Sequence, residues 1–447
     1  MAKRLLLVHL LLIQSPYQLL VHILALLIIG LSAIQQQHKN AANTFEDIRT
    51  LLLNPDVDTV NVPHLDKEIT VQELGSHFFR NIHNQVKQQV GKAVRECVIS
   101  VPRLISKNIN QKVTDRLIQS AQAGGIRIKC MVDDAASALL AYGYDETVAS
   151  AKVIVIDIGW GKSEISIYNV SSGLIFPIND VITEEISGKK LVHLLTEHCA
   201  KEFLRKSKVP CNDNAKSMMR LRRECEGAIK SLSTGTEAMV DIDSLCEGID
   251  FSTKISRARF EDIISIPIVH LKKSIADLLA SASLTNDSIT DVCFCGGITA
   301  IPKISTVIKS LFPTATYPKI KFENCEVQCI GAVLHGKTLM KQSLLDKPPS
   351  ASPTAVCLTK AIKFGDSVIL DKNTALPTHR NIKSVVTTNT GFFKVYADTV
   401  HMADIAFKVA TVPCNIVTTV QVDVEGKITV SVKSADADAT ELASLLI

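Results

Sequence analysis

The chain has 447 residues, 46% hydrophobic and 21% charged, with a formal net charge of +4. These proportions exclude general disorder and collagen-like repeats, and at roughly 150 residues per domain the length predicts two to four domains. The charge is too small to argue for nucleic acid by itself, and 12 scattered cysteines read as reduced thiols, not as a disulfide scaffold.

Residues 1–34 differ from the rest. Lys3 and Arg4 precede an apolar run from Leu5 to Ile13, broken only by His9, and a second run extends from Leu19 to Leu31. Neither reaches the roughly 20 apolar residues of a spanning helix, and Pro16 would kink a helix that joined them. No other stretch approaches a span, which excludes a polytopic membrane protein. Four readings stay open for this segment. It is a membrane anchor through residues 5–31, a signal peptide, a stretch not native to the protein, or a segment whose Leu5–Ile13 run is a buried strand.

Farther along, a short helical pattern covers 43–53 and stops at Pro55. Apolar spacing from Val71 through Leu74, Phe78, Phe79, Ile82 and Val86 predicts a helix over 67–90. A strand over 96–101, a helix over 111–123 closed by Gly124-Gly125, a strand over 126–132 and a helix over 135–141 follow. Strands are expected at 153–158 and 164–169, helices at 188–206 and 214–231, and paired strands at 238–245 and 249–255. A long helix with Ser256 as N-cap runs to Ala282. Asp291–Cys295 reads as a buried strand, and Pro302 opens another helix. Helices alternating with apolar strands indicate an α/β architecture. Near Lys347 the composition shifts: Pro348, Pro349, Ser350, Ser352 and Pro353 form a linker-like stretch. Beyond it strands dominate. The clearest is a hairpin in which Val420, Val422 and Val424 alternate up to Glu425-Gly426, and Ile428, Val430 and Val432 alternate after it. Residues 440–447 could be helical.

Three places could carry chemistry. In Asp157-Ile158-Gly159-Trp160-Gly161-Lys162 the glycines let backbone N–H groups approach a phosphate, and Asp157 could hold magnesium through water. Gly296-Gly297 separates a strand from the helix opening at Pro302, whose N-terminus suits a phosphate or an adenosine. Glu226, Lys230 and Ser233 share one helix face. Each also has a plain reading: a tight turn in the first two cases, a solvated ion pair in the third. Cys293, Cys295, Cys325 and Cys329 lack zinc spacing, there is no Walker loop, and sequence spacing alone names no Ser-His-Asp or Cys-His arrangement.

The order of these motifs is more telling. The runs Leu221–Ser233, Ile242–Phe251 and Ser256–Glu261 closely resemble the heat shock protein 70 (DnaK-like) chaperone family. So do Ala141-Tyr142-Gly143, the Asp157 loop, Gly296-Gly297 with Ile301-Pro302, Gly331-Ala332, and Asn373-Thr374 with Pro377-Thr378. The resemblance covers roughly 29–447. It implies an actin-like (ribonuclease H-like) two-lobed nucleotide-binding domain over 29–345, with an incomplete first lobe. A linker at 346–356 and a β-sandwich peptide-binding domain over 357–447 would follow, the chain stopping where the family's helical lid would begin. It also implies ATP or ADP with magnesium as ligand, held by Asp134, Asp157, Gly159, Gly161, Lys162, Gly188, Glu226, Lys230, Ser233, Gly296 and Gly297. Met218-Met219 and Ser231–Thr234 look most like the divergent ribosome-associated branch. That implies a zuotin-type J-protein partner, the ribosome and nascent chains, in the cytoplasm.

Departures from the family pattern leave hydrolysis open. The apolar segment 1–28 stands in place of the family's first phosphate loop, and Ile34 falls at the catalytic lysine position, where it could not stabilise a γ-phosphate. Asp134 replaces a glutamate and Ala135 a proline. Trp160 replaces a glycine and Lys162 a threonine. Ile229 replaces a lysine, and Ala300 an arginine that would pack on the base. The expected activity is therefore a chaperone or co-chaperone with weak or no ATP hydrolysis. The alternatives are a working ATP-dependent chaperone and a membrane-tethered binding module.

Overall fold

The computed structural model describes residues 19–21, 27–29, 33, 44–45, 47–62, 67–102, 111–144, 150–171, 174–341, 361–365, 367–370, 378–397, 399–422, 428–435 and 440–446. Ile34, Leu5–Ile13, the 346–356 linker, Asn373–Pro377 and the Glu425-Gly426 turn lie outside them. The chain divides into two compact units, one comprising 1–172 with 178–352 and the other 173–177 with 353–447.

Within the first unit, β1 (Leu19–Val21) pairs antiparallel with both β2 (Leu27–Ile29) and β3 (Thr44–Phe45). Where residues 5–31 are described they are therefore strands, and among the described residues no helix is long and apolar enough to cross a membrane. Helix α1 (Ile48–Leu53) starts at Asp47, whose carboxylate accepts the Thr50 N–H at 3.1 Å. Strands β4 (Thr59–Val62) and β5 (Lys67–Thr70) form an antiparallel pair. The helix expected from residue 67 thus begins only at Val71. Thr70 caps α2 (Val71–Val90) by accepting the Glu73 N–H, and β4 claims the four residues before it. Parallel strands β6 (Glu96–Val101) and β7 (Arg127–Asp133) carry α3 (Gln111–Ala123) between them. Leu74, Phe78, Phe79, Ile82 and Val86 of α2 bury against Val113 and Leu117 of α3 and Ile128 of β7. This is the stripe its 3.6-residue period dictates.

Helix α4 (Asp134–Ala141) leads to β8 (Ser150–Ile158), β9 (Ser163–Ser171) and β10 (Leu174–Thr183). With β13 (Asp291–Cys295) these strands form a four-stranded sheet in the order β10-β9-β8-β13. Val153, Ile154, Val155 and Ile156 are all fully buried, since β8 is covered on both faces. The main core joins this sheet to α5 (Gly188–Ser207), α6 (Ala215–Thr234) and the hairpin β11 (Glu237–Cys246) with β12 (Ile249–Ser256). The long helix expected from Ser256 is two, α7 (Arg257–Ile263) and α8 (Ser265–Ser281). Pro267 lacks the N–H that a continuous helix would donate to Ile263, so the chain breaks at Ile264. Helices α9 (Pro302–Leu311) and α10 (Val327–Lys341) complete the unit.

Among the described strands, β13 pairs with β8 on one side and with none on the other. Along its other side the Val292 N–H donates to the Thr316 carbonyl, the Phe294 N–H to the Tyr142 hydroxyl and the Gly296 N–H to the Asn324 carbonyl.

The second unit is a β-sandwich. In chain order its strands are β14 (Ile362–Phe364), β15 (Ser367–Leu370), β16 (Thr378–Val386), β17 (Thr390–Ala397), β18 (Val400–Lys408), β19 (Cys414–Val422), β20 (Ile428–Ser434) and β21 (Glu441–Leu446). One sheet has the order β15-β14-β17-β18 and the other β16-β19-β20-β21. The Val420/Val422 and Ile428/Val430/Val432 alternation buries as expected, with Val420 opposite Val430. Residues 441–446 are a strand, not a helix: β20 offers them a free ladder, and Leu442 and Leu445 pack on the core from there.

Candidate functional site

The ends of β7, β8 and β9 bring four carboxylates together: Asp133, Asp134, Asp157 and Glu164. Each sits there for a local reason. Asp133 caps α4, accepting the Ala135 and Ala136 N–H groups, and takes a third hydrogen bond from the Tyr168 hydroxyl at 2.8 Å. Asp134 follows it in the first helical turn with its side chain 4% exposed. Asp157 is the penultimate residue of β8 and accepts the side-chain amide of Gln328 at 2.7 Å, an amide that α10 delivers. Glu164 is buried near the start of β9.

Two cations answer them. Arg49 of α1 pairs with Asp134 through Oδ2. Burial lowers the Lys162 pKa, against the pull of Glu164. The Oδ1 atom of Asp134 is buried and has no hydrogen-bond partner among the described residues. Burial, then the Asp134 charge, pushes the Asp157 carboxyl up to about 6. Burial and the three neighbouring acids push Glu164 well above the usual carboxylate range. The cluster is thus short of positive charge, a deficit that a cation would remove.

A raised folded-state pKa means the folded protein binds the proton more tightly than the unfolded chain does. Stability is lost as pH rises from the ordinary carboxylate value through about 6, and is flat above it. Asp157→Asn keeps an acceptor for Gln328 but cannot ionise. It is expected to be more stable than the parent by about 2–3 kcal/mol near pH 8, with the gap closing below pH ~4. Urea titrations at three pH values, without added divalent ions, measure this.

Around the acids the backbone closes in. Gly296 has φ 79°. A Cβ there would lie 2.6 Å from Asp157 Oδ1 and collide with the Ile158 carbonyl, so only glycine lets the β13 turn pass over the end of β8. A Cβ at Gly161 would lie 2.9 Å from the Asp47 carboxylate, which sets the loop tip beside the start of α1. The Gly188 N–H donates to the Gly159 carbonyl at 2.9 Å and the Lys189 N–H to that of Trp160 at 2.8 Å.

The structure therefore gathers Asp134, Asp157, Gly159, Gly161, Lys162, Gly188 and Gly296. It does not bring Glu226, Lys230 and Ser233 to the acids. Lys230 and Glu226 pair with each other at 2.8 Å, with Lys230 76% exposed, and the Ser233 hydroxyl donates to the Ile229 carbonyl. They lie along the same α6 face as Arg222, whose guanidinium carbon is 5.9 Å from the Trp160 ring centre. Gly297 has open space around its Cα. Arg49, Asp133, Glu164 and Gln328 were not anticipated from the sequence. The available signals were a lone cation in the helix Ile-Arg-Thr-Leu-Leu-Leu and a lone acid in the apolar strand Ser163–Ser171.

Among the described residues no three His, Cys, Asp or Glu side chains sit close enough to hold one metal ion directly. An ion such as magnesium would keep most of its waters here, as its reluctance to dehydrate favours. The orphan Asp134 oxygen and the Asp157 carboxylate fit a hydrated divalent ion, and Arg49 and Lys162 fit phosphate oxygens. The cysteines singled out on β13 are inert: Cys293 and Cys295 are buried, and burial pushes both thiols far up.

Residues 28–441 match the family model for the Hsp70 protein. Similar proteins include heat shock 70-related protein 5 of Dictyostelium discoideum, 28% identical over 76% of this chain and 70% of its own length. A heat shock protein of Pyricularia oryzae is 25% identical over 83% of this chain and 63% of its own. Heat shock 70 kDa protein 14 of Pongo abelii is 28% identical over 71% of this chain and 67% of its own. The chain thus spans about two thirds of the length of these relatives.

Proposed function

We propose that this chain, which belongs to the Hsp70 family, is a chaperone that binds a magnesium nucleotide at the ends of β7, β8 and β9 and hydrolyses it weakly. The observation that carries the reading is the buried, unpartnered Oδ1 of Asp134, with Arg49 on the same carboxylate and the raised Asp157 carboxyl facing it. A bound magnesium ion supplies positive charge that steadies developing negative charge on transferred phosphate. Asp134 and Asp157 would hold the waters of that ion. Arg49 and Lys162 would draw the phosphate oxygens, and Gln328 would fix which Asp157 oxygen stays free. Glu226, Lys230 and Ser233 would be recruited from the α6 face. Weak turnover is favoured by Asp47, whose negative charge beside Gly161 repels phosphate at the loop tip.

Trp160 is the only tryptophan and lies in the loop itself. Titration with Mg-ATP is expected to give a saturable change in its fluorescence that Asp157→Asn loses, with calorimetry confirming the stoichiometry. A flat titration in both instruments overturns the reading.

The cellular setting we propose is ribosome-associated assistance to nascent chains in partnership with a zuotin-type J-protein. The support is the likeness of Met218-Met219 and Ser231–Thr234 to that branch, together with similarity to heat shock 70 kDa protein 14. Co-sedimentation with translating ribosomes tests it; a chain that stays wholly in the supernatant contradicts it.

A further inference from the structure

Trp160 does more than report on the loop. Its half-buried ring packs at the margin of the main core with Ile298. Gly188 has no side chain, and a Cβ there would lie 2.9 Å from Trp160 Cε3 and 3.1 Å from Ile298 Cδ1. The indole thus occupies the space above the first residue of α5, and the Arg222 guanidinium is set over it from α6.

The backbone beneath is equally committed. A helix N-terminus offers free N–H groups to a phosphate. In α5 the first three are taken: Gly188 by the Gly159 carbonyl, Lys189 by the Trp160 carbonyl and Lys190 by the Ser187 hydroxyl at 3.3 Å. Arg222, a cation on this side that could meet a phosphate, faces an indole. Loop, helix end and cation satisfy one another, while the acids across the loop keep an orphan oxygen at Asp134.

Resting on the nucleotide reading above, in which Glu226, Lys230 and Ser233 are recruited from the α6 face that carries Arg222, we infer that Trp160 is a plug: its ring fills the slot between Gly188, Ile298 and Arg222 that separates that face from the loop, so a nucleotide reaching from the loop to that face requires Trp160 to swing out. The phosphates would be drawn by Arg49 and Lys162 on the acid side of the loop, so the ligand class is a nucleotide with a charged phosphate tail, and a bare nucleoside would not repay the displacement. A slot filled by its own ring in about nine molecules of ten weakens apparent affinity about tenfold.

Calorimetry of Mg-ATP binding to the full chain tests this. Trp160→Gly is expected to bind about tenfold more tightly than the parent. Equal or weaker affinity, in a variant with unchanged circular dichroism, overturns the plug and leaves the nucleotide reading standing. Absence of binding to both proteins overturns both. Acrylamide quenching of the parent needs no variant: saturating Mg-ATP is expected to raise the Trp160 quenching constant at least twofold. A fall would show the ring covered by the ligand, a stacking platform instead of a plug, and would also overturn the proposal.

Discussion

Gly331→Ala is expected to destabilise the first unit by at least about 3 kcal/mol, lowering its melting temperature by roughly 4 °C. Helix propensity alone gives the opposite sign, since alanine in a helix interior outranks glycine by about 1 kcal/mol. The local contact decides. Helix α10 crosses α4 at this point, and a Cβ on Gly331 would collide with the Ser137 carbonyl. The atoms it meets are main chain, so no rotamer change relieves the clash. The crossing is also stitched by the Ser137 hydroxyl donating to the Gln328 carbonyl. Forcing α10 away therefore withdraws Gln328 from Asp157 as well, and Mg-ATP affinity should fall together with stability. Differential scanning fluorimetry and calorimetry on one preparation would read both. A variant that melts with the parent would show that the two helices can part without cost.

Arg49→Ala is expected to cost about 2–3 kcal/mol and to weaken Mg-ATP binding at least tenfold. Breaking a buried pair strands the remaining charge at about 3–5 kcal/mol, and the lower figure allows for an Arg49 side chain that is 37% exposed against 4% for Asp134. Oδ1 of that carboxylate already lacks a partner, so Arg49 carries much of its compensation. Adding Asp134→Asn to Arg49→Ala should recover most of the lost stability, because no charge is then left buried, while binding stays lost. Arg49→Lys should keep more binding than stability, since one ammonium replaces the charge but not the planar fork. Chemical denaturation of the four proteins of the cycle gives the coupling directly. Additive single effects would show that the pair does not act as a unit.

Much of the fold was legible because it rests on periodicity. Helix α2 announces its buried stripe, and the valine alternation in β19 and β20 announces a half-buried hairpin. What failed was what tertiary partners decide. Lys67–Thr70 and Glu441–Leu446 become strands because β4 and β20 offer them ladders, and no local pattern records a distant edge. At the site, the glycines and Asp157 could be read from a strand ending in a turn. Arg49 could not, because its role arises from α1 lying against the end of β7, a contact spanning 85 positions in the chain. The resemblance put Ile34, outside the described residues, at the family's catalytic lysine position; the cations that the described residues bring to the acids are Arg49 and Lys162. Glu226, Lys230 and Ser233 were legible as a helix face, yet a helix face does not disclose whether its charges meet a ligand or one another.

The free side of β13 has a bearing on how the protein survives at high concentration. An edge strand with a row of unused N–H groups templates the strand of another molecule. Here the outward groups at positions 292, 294 and 296 are each spent on a different acceptor: a carbonyl at Thr316, the phenol of Tyr142 and a carbonyl at Asn324. Because the acceptors come from unrelated segments, an incoming chain would have to displace all of them before it could hydrogen-bond. The Tyr142 phenol also donates to the Phe294 carbonyl at 2.9 Å, occupying an acceptor on the same strand. Tyr142 thus closes the middle of this edge, with Thr316 and Asn324 closing its two ends, and the three together leave little for an incoming strand to bond.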